Sequence, residues 1–298
     1  MLDDLIQPGQ DMDAPKSVIV VGMPRTGTSL AAATFVRKNF FVVPDDAGDM
    51  QVPDEDNPFG YWEARALTKH NARILNDAGF SSENTWMYQA ISQEETDRIA
   101  TLTPRHEHRE YLAMFNEHCP WVWKDPRLCY TLRYWWPLMD ANRTGVLFLR
   151  RDPEAIYQSF RRVNFCAPGP SARRDVYRRI EHHLQTASDT IAALKIPHIA
   201  LDYRDFLDAP EATAARLSAF FEIAVETGDL NVRRELDHGR AVGRLATLAD
   251  KVATRMSPGG RRVLKRLVPT AVLHALYPEK RVLEQSDGDS VANSRSKR

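Results

Sequence analysis

The segment VIVVGMPRTGTS at residues 18–29 constrains the fold more than any other part of the sequence. An apolar run enters a loop bounded by Gly22 and Gly27, and a helix-like stretch follows. Such a strand, loop and helix bind phosphate, because loop amides and the positive end of the helix dipole attract an anion. The glycines have the spacing of the nucleoside-triphosphate loop G-x-x-x-x-G-K-[ST], but Thr28 replaces its lysine. We therefore predict a phosphate site that does not hold a β,γ-phosphate pair with magnesium.

Short apolar segments alternate with long stretches of helical pattern. We predict strands at residues 17–21, 121–124, 145–149 and 198–201. Helical spacing and caps predict helices at residues 62–78, from the Asp-Pro pair at 152–153 onward, at 173–194 and at 210–221. Strands that alternate with helices form a parallel sheet flanked by helices, so we expect an α/β fold with one main domain.

Basic residues follow three of the predicted strands. Arg25 lies just past the first strand, Lys124 ends the second, and Arg150 and Arg151 follow the third. Ligands of open parallel sheets bind at the carboxyl ends of the strands. We therefore expect these side chains to converge on one anionic ligand.

The overall composition excludes several classes of protein. The 298 residues carry a formal net charge of zero, so no nucleic-acid partner is expected. The first residues lack an apolar core, and no apolar run approaches the roughly 18 residues of a membrane span, so we expect a cytoplasmic protein. The three cysteines show no C-x-x-C pairing, which argues against a disulfide framework or a cysteine zinc site.

Two motifs resemble those of sulfotransferases that use 3′-phosphoadenosine 5′-phosphosulfate (PAPS). GMPRTGTS at residues 22–29 is similar to the loop that binds the 5′-phosphosulfate, with the arginine of the Golgi and bacterial branches. LFLRRDPEAIYQS at residues 147–159 is similar to the 3′-phosphate motif, an arginine at a strand end followed by a helical serine. The resemblance implies a P-loop-like α/β fold and these cofactor-binding residues: Arg25, Thr26, Gly27, Thr28, Ser29, Arg151 and Ser159.

A third segment, LDYRDFLDAP at residues 201–210, resembles a late motif of the family, and we interpret it as structural. The three matches together suggest how the chain is organised. We expect an N-terminal segment at 1–16, a sulfotransferase domain at 17–223, a helical C-terminal extension at 224–284 and a disordered tail at 285–298. Within the extension, residues 255–282 are basic and then apolar, and we favour a lid or packing helix over contact with a membrane surface.

The base that accepts the acceptor's proton does not come from the second strand. In cytosolic sulfotransferases a comparable strand ends in Lys-x-His and the histidine is the base, whereas Pro126 occupies that place here. NPFGYWE at residues 57–63 is similar to a segment of bacterial members, and a glutamate is the base in the glycan-modifying branch. The resemblance therefore implies Glu63 as the base, with His70 as the runner-up. Glu63 can equally be a first-turn glutamate favoured by the helix dipole.

The resemblance implies transfer of a sulfuryl group from PAPS to a hydroxyl or amine, release of adenosine 3′,5′-bisphosphate and no metal requirement. Arg25 and Lys124 would be the catalytic cations. The partner is expected to be a small-molecule or glycan acceptor, and we favour a carbohydrate or glycolipid hydroxyl. Two alternatives stay open: a small-molecule kinase with a degenerate loop, and a nucleotide-binding protein without turnover. The sequence leaves the acceptor and the oligomeric state open.

Overall fold

The centre of the fold is a sheet of four parallel strands in a computed structural model that describes residues 16–43, 48–53, 57, 60–81, 89–230 and 232. The strands are β1 (Ser17–Val21), β2 (Val122–Lys124), β3 (Thr144–Arg150) and β4 (His198–Asp202). Their order across the sheet is β2-β1-β3-β4, and every pairing is parallel. The predicted P-loop-like α/β fold is confirmed, and each strand lies within a residue of its predicted bounds at either end.

Helices surround and connect these strands. They are α1 (Thr28–Val36), α2 (Arg65–Asp77), α3 (Gln93–Thr101), α4 (His106–Asn116), α5 (Leu128–Trp135), α6 (Pro153–Arg162), α7 (Pro170–Ala193), α8 (Tyr203–Asp208) and α9 (Pro210–Phe221). Short 3₁₀ turns cover Trp136–Leu138 and Thr227–Leu230. The helices predicted at 62–78, 173–194 and 210–221 correspond to α2, α7 and α9, and α6 starts after Asp152, whose carboxylate accepts the Ala155 N–H at 2.9 Å. The sequence patterns did not predict α3, α4 and α5.

Alternating residues of β1 pack into two apolar cores, one on each face of the sheet. Ile19 and Val21 belong to a core that also contains Trp123 and helices α2 to α5. Val18 and Val20 belong to the opposite core, which α1 and α9 cover. Since successive side chains of a strand point to opposite faces, a continuous apolar run marks a strand buried on both sides. The central strand is therefore held rigidly, and the loop that follows it starts from a fixed point.

The register of the strands sets the positions of the charged residues. Val20 of β1 pairs with Lys124 of β2, so the lysine stands beside the end of the central strand. On the other side, Val21 pairs with Phe148, and Arg150 at the end of β3 pairs with Asp202 of β4. The carboxyl ends of the four strands thus meet at one edge, as expected for a parallel sheet.

The chain divides into two compact units. The first includes the described residues up to 156 and from 177 onward, and residues 157–176 belong to the second. Most of the predicted C-terminal extension at 224–284, all of the tail at 285–298 and residues 1–15 of the N-terminal segment lie outside the described residues. The predicted domain boundaries stay a prediction. Among the described residues, no helix has the length and apolar character that crossing a membrane requires.

Candidate active site

The loop between β1 and α1 is a tight turn with two residues in the left-handed region. Arg25 has φ 70° and Gly27 has φ 99°. The backbone N–H and the hydroxyl of Thr26 both donate to the Met23 carbonyl, at 3.2 and 2.7 Å. Alternation of right-handed and left-handed residues turns successive amides toward one concave side, which is a common anion-binding geometry. Thr26 is fully buried and shapes this loop from within.

The start of α1 suits an anion. Within this helix, which the structure describes completely, no acidic residue lies in the first turn and no side chain caps the first amides. The first turn therefore keeps the partial positive charge of the helix dipole and of the uncapped N–H groups. Thr28 and Ser29 bring hydroxyl groups to the same turn.

Arg151 joins the second motif to this loop. Its Nη1 donates to the carbonyl of Arg25 at 3.0 Å, although the two residues are 126 positions apart in sequence. Its guanidinium carbon lies 4.0 Å from the ring centroid of Tyr203, a cation–π contact. The neighbouring Arg150 is exposed. The two motifs are thus in direct contact through the backbone of Arg25. That the side chains of Arg25, Lys124 and Arg151 converge on one anionic ligand stays a prediction.

Tyr203 covers the other side of the loop. A Cβ atom at Gly27 would lie 2.6 Å from Cδ2 of the tyrosine ring, so the ring occupies the space that a side chain would need. Tyr203 begins α8, directly after Asp202 caps that helix by accepting the Arg204 N–H at 2.9 Å. The third motif therefore supports both phosphate motifs, which the sequence alone did not indicate.

Glu63 and Lys124, both predicted from sequence, form an ion pair. Lys124 is 4% exposed and Glu63 is 14% exposed, so the pair is largely withdrawn from water. The ammonium group also lies 5.8 Å from the centroid of the Tyr61 ring. A carboxylate and an ammonium are thus brought together at the end of β2, beside the loop that follows β1.

Burial sets the protonation behaviour of Glu63. Removal from water raises the pKa of this carboxyl above its ordinary value of 4.5, and the nearby Asp125 raises it further. The charge of Lys124 and its hydrogen bond oppose the rise. The pKa of a general base should approach the working pH, so a raised pKa suits Glu63 to accept a proton.

Two neighbouring segments hold Glu63 in place. The carbonyl of Glu63 accepts the Gln51 N–H at 2.8 Å, and Met50 forms an antiparallel bridge with Ala64. The carboxylate of Asp49 accepts the N–H of Ala66 at 3.0 and 3.1 Å, which satisfies an amide in the first turn of α2. The glutamate is therefore fixed just ahead of the helix rather than within its first turn.

Asn57 connects the segment of Glu63 to the anion loop. Its Nδ2 donates to Ser29 Oγ at 3.1 Å and to the carbonyl of Gly60 at 2.8 Å. The Ser29 hydroxyl accepts this bond, so its own proton can point to a different acceptor. This contact joins the candidate base segment to the first turn of α1. Nothing in the local sequence around Asn57 indicates it.

A network of buried hydrogen bonds holds the turn that directly follows Lys124. Asp125 accepts from Arg127 Nη1 and from Asn71 Nδ2, both at 2.9 Å, and Asp125 and Arg127 are almost completely buried. The amide oxygen of Asn71 in turn accepts from Thr131 Oγ1 and Trp135 Nε1, both at 2.8 Å. The turn that follows β2 is therefore tied firmly to α2 and α5.

His70, the runner-up base, packs in an aromatic environment on α2. Its ring lies 4.8 Å from that of His108 and 4.6 Å from that of Tyr111, measured between centroids. Removal from water lowers its pKa. These contacts lie on α4, whereas Glu63 is the residue paired with Lys124, so the geometry favours Glu63 over His70.

Ser159 belongs to the second unit, where it is buried on α6. Its joint contact with Arg151 on a 3′-phosphate stays a prediction. The described part of the second unit shows a local structure of its own, in which the Tyr157 hydroxyl accepts the Gly169 N–H at 3.1 Å and the Arg173 guanidinium lies 5.4 Å from the Tyr157 ring centroid.

Residues 15–227 match the family described as the sulfotransferase family. No curated protein sequence gives a significant match. The chain is similar to the sulfotransferase domain of the Synechococcus PCC 7002 olefin synthase, with 18% identity, a TM-score of 0.42 and coverage of 85% of this chain and 92% of that one. It is also similar to a sulfotransferase domain from the curacin biosynthetic pathway, with 15% identity, a TM-score of 0.44 and coverage of 72% and 76%. A Mycobacterium tuberculosis sulfotransferase gives 15% identity, a TM-score of 0.43 and coverage of 75% of each chain.

Proposed function

Because the chain belongs to the sulfotransferase family, we propose that it transfers the sulfuryl group of PAPS to a hydroxyl or amine acceptor, with Glu63 as the base. The hydrogen bond from Arg151 to the Arg25 carbonyl is the observation that carries the nucleotide part of this proposal. It places a strand-end arginine, which could bind a 3′-phosphate, beside the loop that would bind the 5′ end of the same nucleotide. A mononucleotide with a single phosphate would need only one of these motifs.

The residues of the loop fit the 5′ end of this nucleotide. A Cβ at Gly22 would lie 2.8 Å from Thr26 Oγ1 and 3.1 Å from the Leu149 carbonyl, so only glycine allows the loop to fold this tightly. The amides at the start of α1, the hydroxyls of Thr28 and Ser29 and the charge of Arg25 would hold the anion. Arg151, stacked on Tyr203, would hold the 3′-phosphate.

In this reaction the protein would form no covalent bond to the sulfuryl group and would act through positioning, charge neutralisation and proton transfer. When bound, PAPS supplies the sulfuryl group that the acceptor receives. Lys124 and Arg25 would neutralise the negative charge that develops during an in-line displacement, as cations do in phosphoryl transfer. Glu63 would take the proton of the attacking group, and its ion pair with Lys124 favours the deprotonated form that a base needs by opposing the effect of burial on its pKa.

For the acceptor we propose a hydroxyl group of a carbohydrate or glycolipid. This choice rests on the resemblance of residues 57–63 to the segment that carries a glutamate base. The product released would be adenosine 3′,5′-bisphosphate.

Ligand-induced stabilisation tests the nucleotide assignment. We expect adenosine 3′,5′-bisphosphate at about 100 times its Kd to add about 2.7 kcal/mol to the free energy of unfolding, seen as a rise in Tm. Arg151→Ala should lose most of this rise, whereas Arg150→Ala, a change at the exposed neighbour, should keep it. Stabilisation by ATP with magnesium alone would contradict the proposal and favour a kinase, and equal stabilisation of both variants would contradict the role of Arg151.

Turnover with labelled PAPS and a panel of glycan acceptors tests the base. We expect Glu63→Gln to lower kcat by about 10²–10⁴-fold while the bisphosphate still stabilises the protein, because the change removes a proton acceptor and no cation. His70→Gln serves as the matched control and should change kcat far less. A large loss in His70→Gln with an active Glu63→Gln would reverse the assignment.

A further inference from the structure

Two histidines and a glutamate lie together where α2 packs near α4. His70 on α2 and Glu107 and His108 on α4 each offer one ligand atom, and these three atoms all lie within 4.8 Å of one another. The histidine rings meet edge to face, with centroids 4.8 Å apart. Nε2 of His108 lies 3.8 Å from Oε1 of Glu107, beyond hydrogen-bond distance.

The Nε2 atom of His108 is the unusual feature of this cluster. His108 is 0% exposed, and among the residues that the structure describes its Nε2 has no hydrogen-bond partner. Buried polar atoms in folded proteins nearly always have a partner, so an unpaired one points to an occupant that the chain itself does not supply. The neighbouring polar atoms of His70 and Glu107 are an imidazole nitrogen and a carboxylate oxygen, and both kinds of atom commonly bind metal ions.

The other nitrogen of His108 is already engaged. Nδ1 lies 2.6 Å from the Tyr134 hydroxyl, and the backbone N–H of Arg105 donates to that hydroxyl at 3.0 Å. A metal-bound histidine usually donates its second N–H to an oxygen, and the Tyr134 hydroxyl stands where it can accept that N–H.

We propose that His70, Glu107 and His108 form a site for a zinc-class divalent metal ion that is separate from the sulfuryl-transfer chemistry. Two imidazoles and one carboxylate are a common three-residue donor set for Zn²⁺, and the fourth position would be open to water. A tetrahedral site with bonds of about 2.1 Å needs ligand atoms about 3.4 Å apart. Closing the distance from within 4.8 Å to about 3.4 Å would require rotation of the side chains of Glu107 and His70, which are only partly buried.

The ion pair between Arg73 and Glu107 affects which metal ions the site would bind. Its Nη1 contacts Oε1 of Glu107 at 2.9 Å, so the carboxylate shares its charge with a guanidinium. A hard cation such as Mg²⁺ depends on carboxylate charge, whereas Zn²⁺ binds imidazole well. The site should therefore take Zn²⁺ and reject Mg²⁺. Metal bound here would link α2, the helix that follows Glu63, to α4.

Calorimetric titration of the tag-free, chelator-treated full chain tests the proposal, with Zn²⁺ as the probe and Mg²⁺ as the comparison. We expect one Zn²⁺ per chain and a higher Tm with Zn²⁺ but not with Mg²⁺. Glu107→Gln and His108→Gln should each weaken Zn²⁺ binding about tenfold or more, and Tyr134→Phe should weaken it about tenfold, as loss of an outer hydrogen bond does. Glu107 is 43% exposed, so its variant is expected to fold even if the buried His108→Gln does not.

His106→Gln is the matched control. His106 lies on the same helix, is 85% exposed and pairs with Glu110 at 3.1 Å, and its loss should leave Zn²⁺ binding unchanged. The proposal is overturned if Zn²⁺ binds no better than Mg²⁺, or if binding is unaltered in a folded Glu107→Gln. It is equally overturned if His106→Gln abolishes Zn²⁺ binding, since the metal would then be bound by a surface histidine. Loss of Zn²⁺ binding after thiol alkylation of the wild type would also overturn it, since the metal would then be bound by cysteine.

Discussion

Replacing Lys124 by methionine should destabilise the protein, and more so at neutral than at acidic pH. The change removes the cation paired with Glu63 and keeps an unbranched side chain of similar length. The carboxyl of Glu63 is then left 14% exposed without the partner that opposes the effect of burial on its pKa. A buried carboxyl without a counter-charge takes up a proton instead of staying ionised.

The free energy of protonating Glu63 limits how much Lys124→Met can destabilise the protein through this carboxyl. The unfolded chain has a Glu63 pKa near the ordinary value of 4.5. Protonating the group at about pH 7 therefore costs at most about 3.4 kcal/mol, from 1.36 kcal/mol for each pH unit above 4.5. At about pH 5.5 the limit falls to about 1.4 kcal/mol. The difference between the two pH values is at most about 2 kcal/mol, and because the wild-type pKa is already raised, the observed value should lie below this limit.

The sign follows from linkage. A carboxyl whose pKa is raised on folding makes its full contribution to stability below the unfolded pKa of 4.5, and that contribution is lost as pH rises toward the folded pKa. Removal of Lys124 raises the folded-state pKa of Glu63 further, so the pH range over which stability is lost extends to higher pH. The destabilisation caused by Lys124→Met should therefore grow from pH 4.5 to pH 7.

Urea unfolding at the two pH values measures the effect, for the wild type, Lys124→Met, Glu63→Gln and the double variant. Changes in packing and the titration of other groups are common to matched pairs and cancel in the cycle. In the Glu63→Gln background, which has no carboxyl to titrate, the Lys124 change should show no pH dependence. The reasoning is refuted if Lys124→Met destabilises equally at both pH values, or if the pH dependence persists in the double variant.

Two further substitutions test the supports of the site by chemical unfolding. Gly27→Ala should cost at least about 1 kcal/mol more than Gly169→Ala, because both glycines have positive φ but only the first has the Tyr203 ring 2.6 Å from the new Cβ; equal costs would show that the ring moves aside. Asn71→Ala should cost about 3 kcal/mol, because three buried polar groups lose a partner. The exposed Asn76→Ala on the same helix should cost under about 0.5 kcal/mol, and similar losses in both would argue against the network.

Local patterns predicted the elements that carry their own signal. The strands read as short apolar runs because they are buried on both faces, and α9 was predicted with its observed bounds because Pro210 opens it and the apolar pair at 220–221 closes it. The helices α3 to α5 were not predicted. Two of them, α3 and α4, bury only two and three residues, and α5 is only eight residues long, so each offers few apolar positions from which a helical period could be recognised.

The two motifs that resemble phosphate-binding segments could be recognised from the sequence because each is contiguous along the chain. The predicted membership of the sulfotransferase family is confirmed by the match over residues 15–227. The roles of the individual site residues stay predictions, and the catalytic base is the one that local sequence left most open. Glu63 and His70 lie on adjoining stretches of chain, and only their neighbours in space distinguish them.

The sequence by itself determined the strands, the glycine-bounded loop after β1 and the family, since these depend on residues that are neighbours along the chain. The tertiary structure alone decided that Glu63 meets Lys124, that Tyr203 lies between Gly27 and Arg151, and that His108 faces His70. These contacts join residues 38 to 176 positions apart, and their geometry depends on strand order and helix packing. The pKa of a carboxyl depends on burial and on the nearest charge, and both are properties of the folded chain.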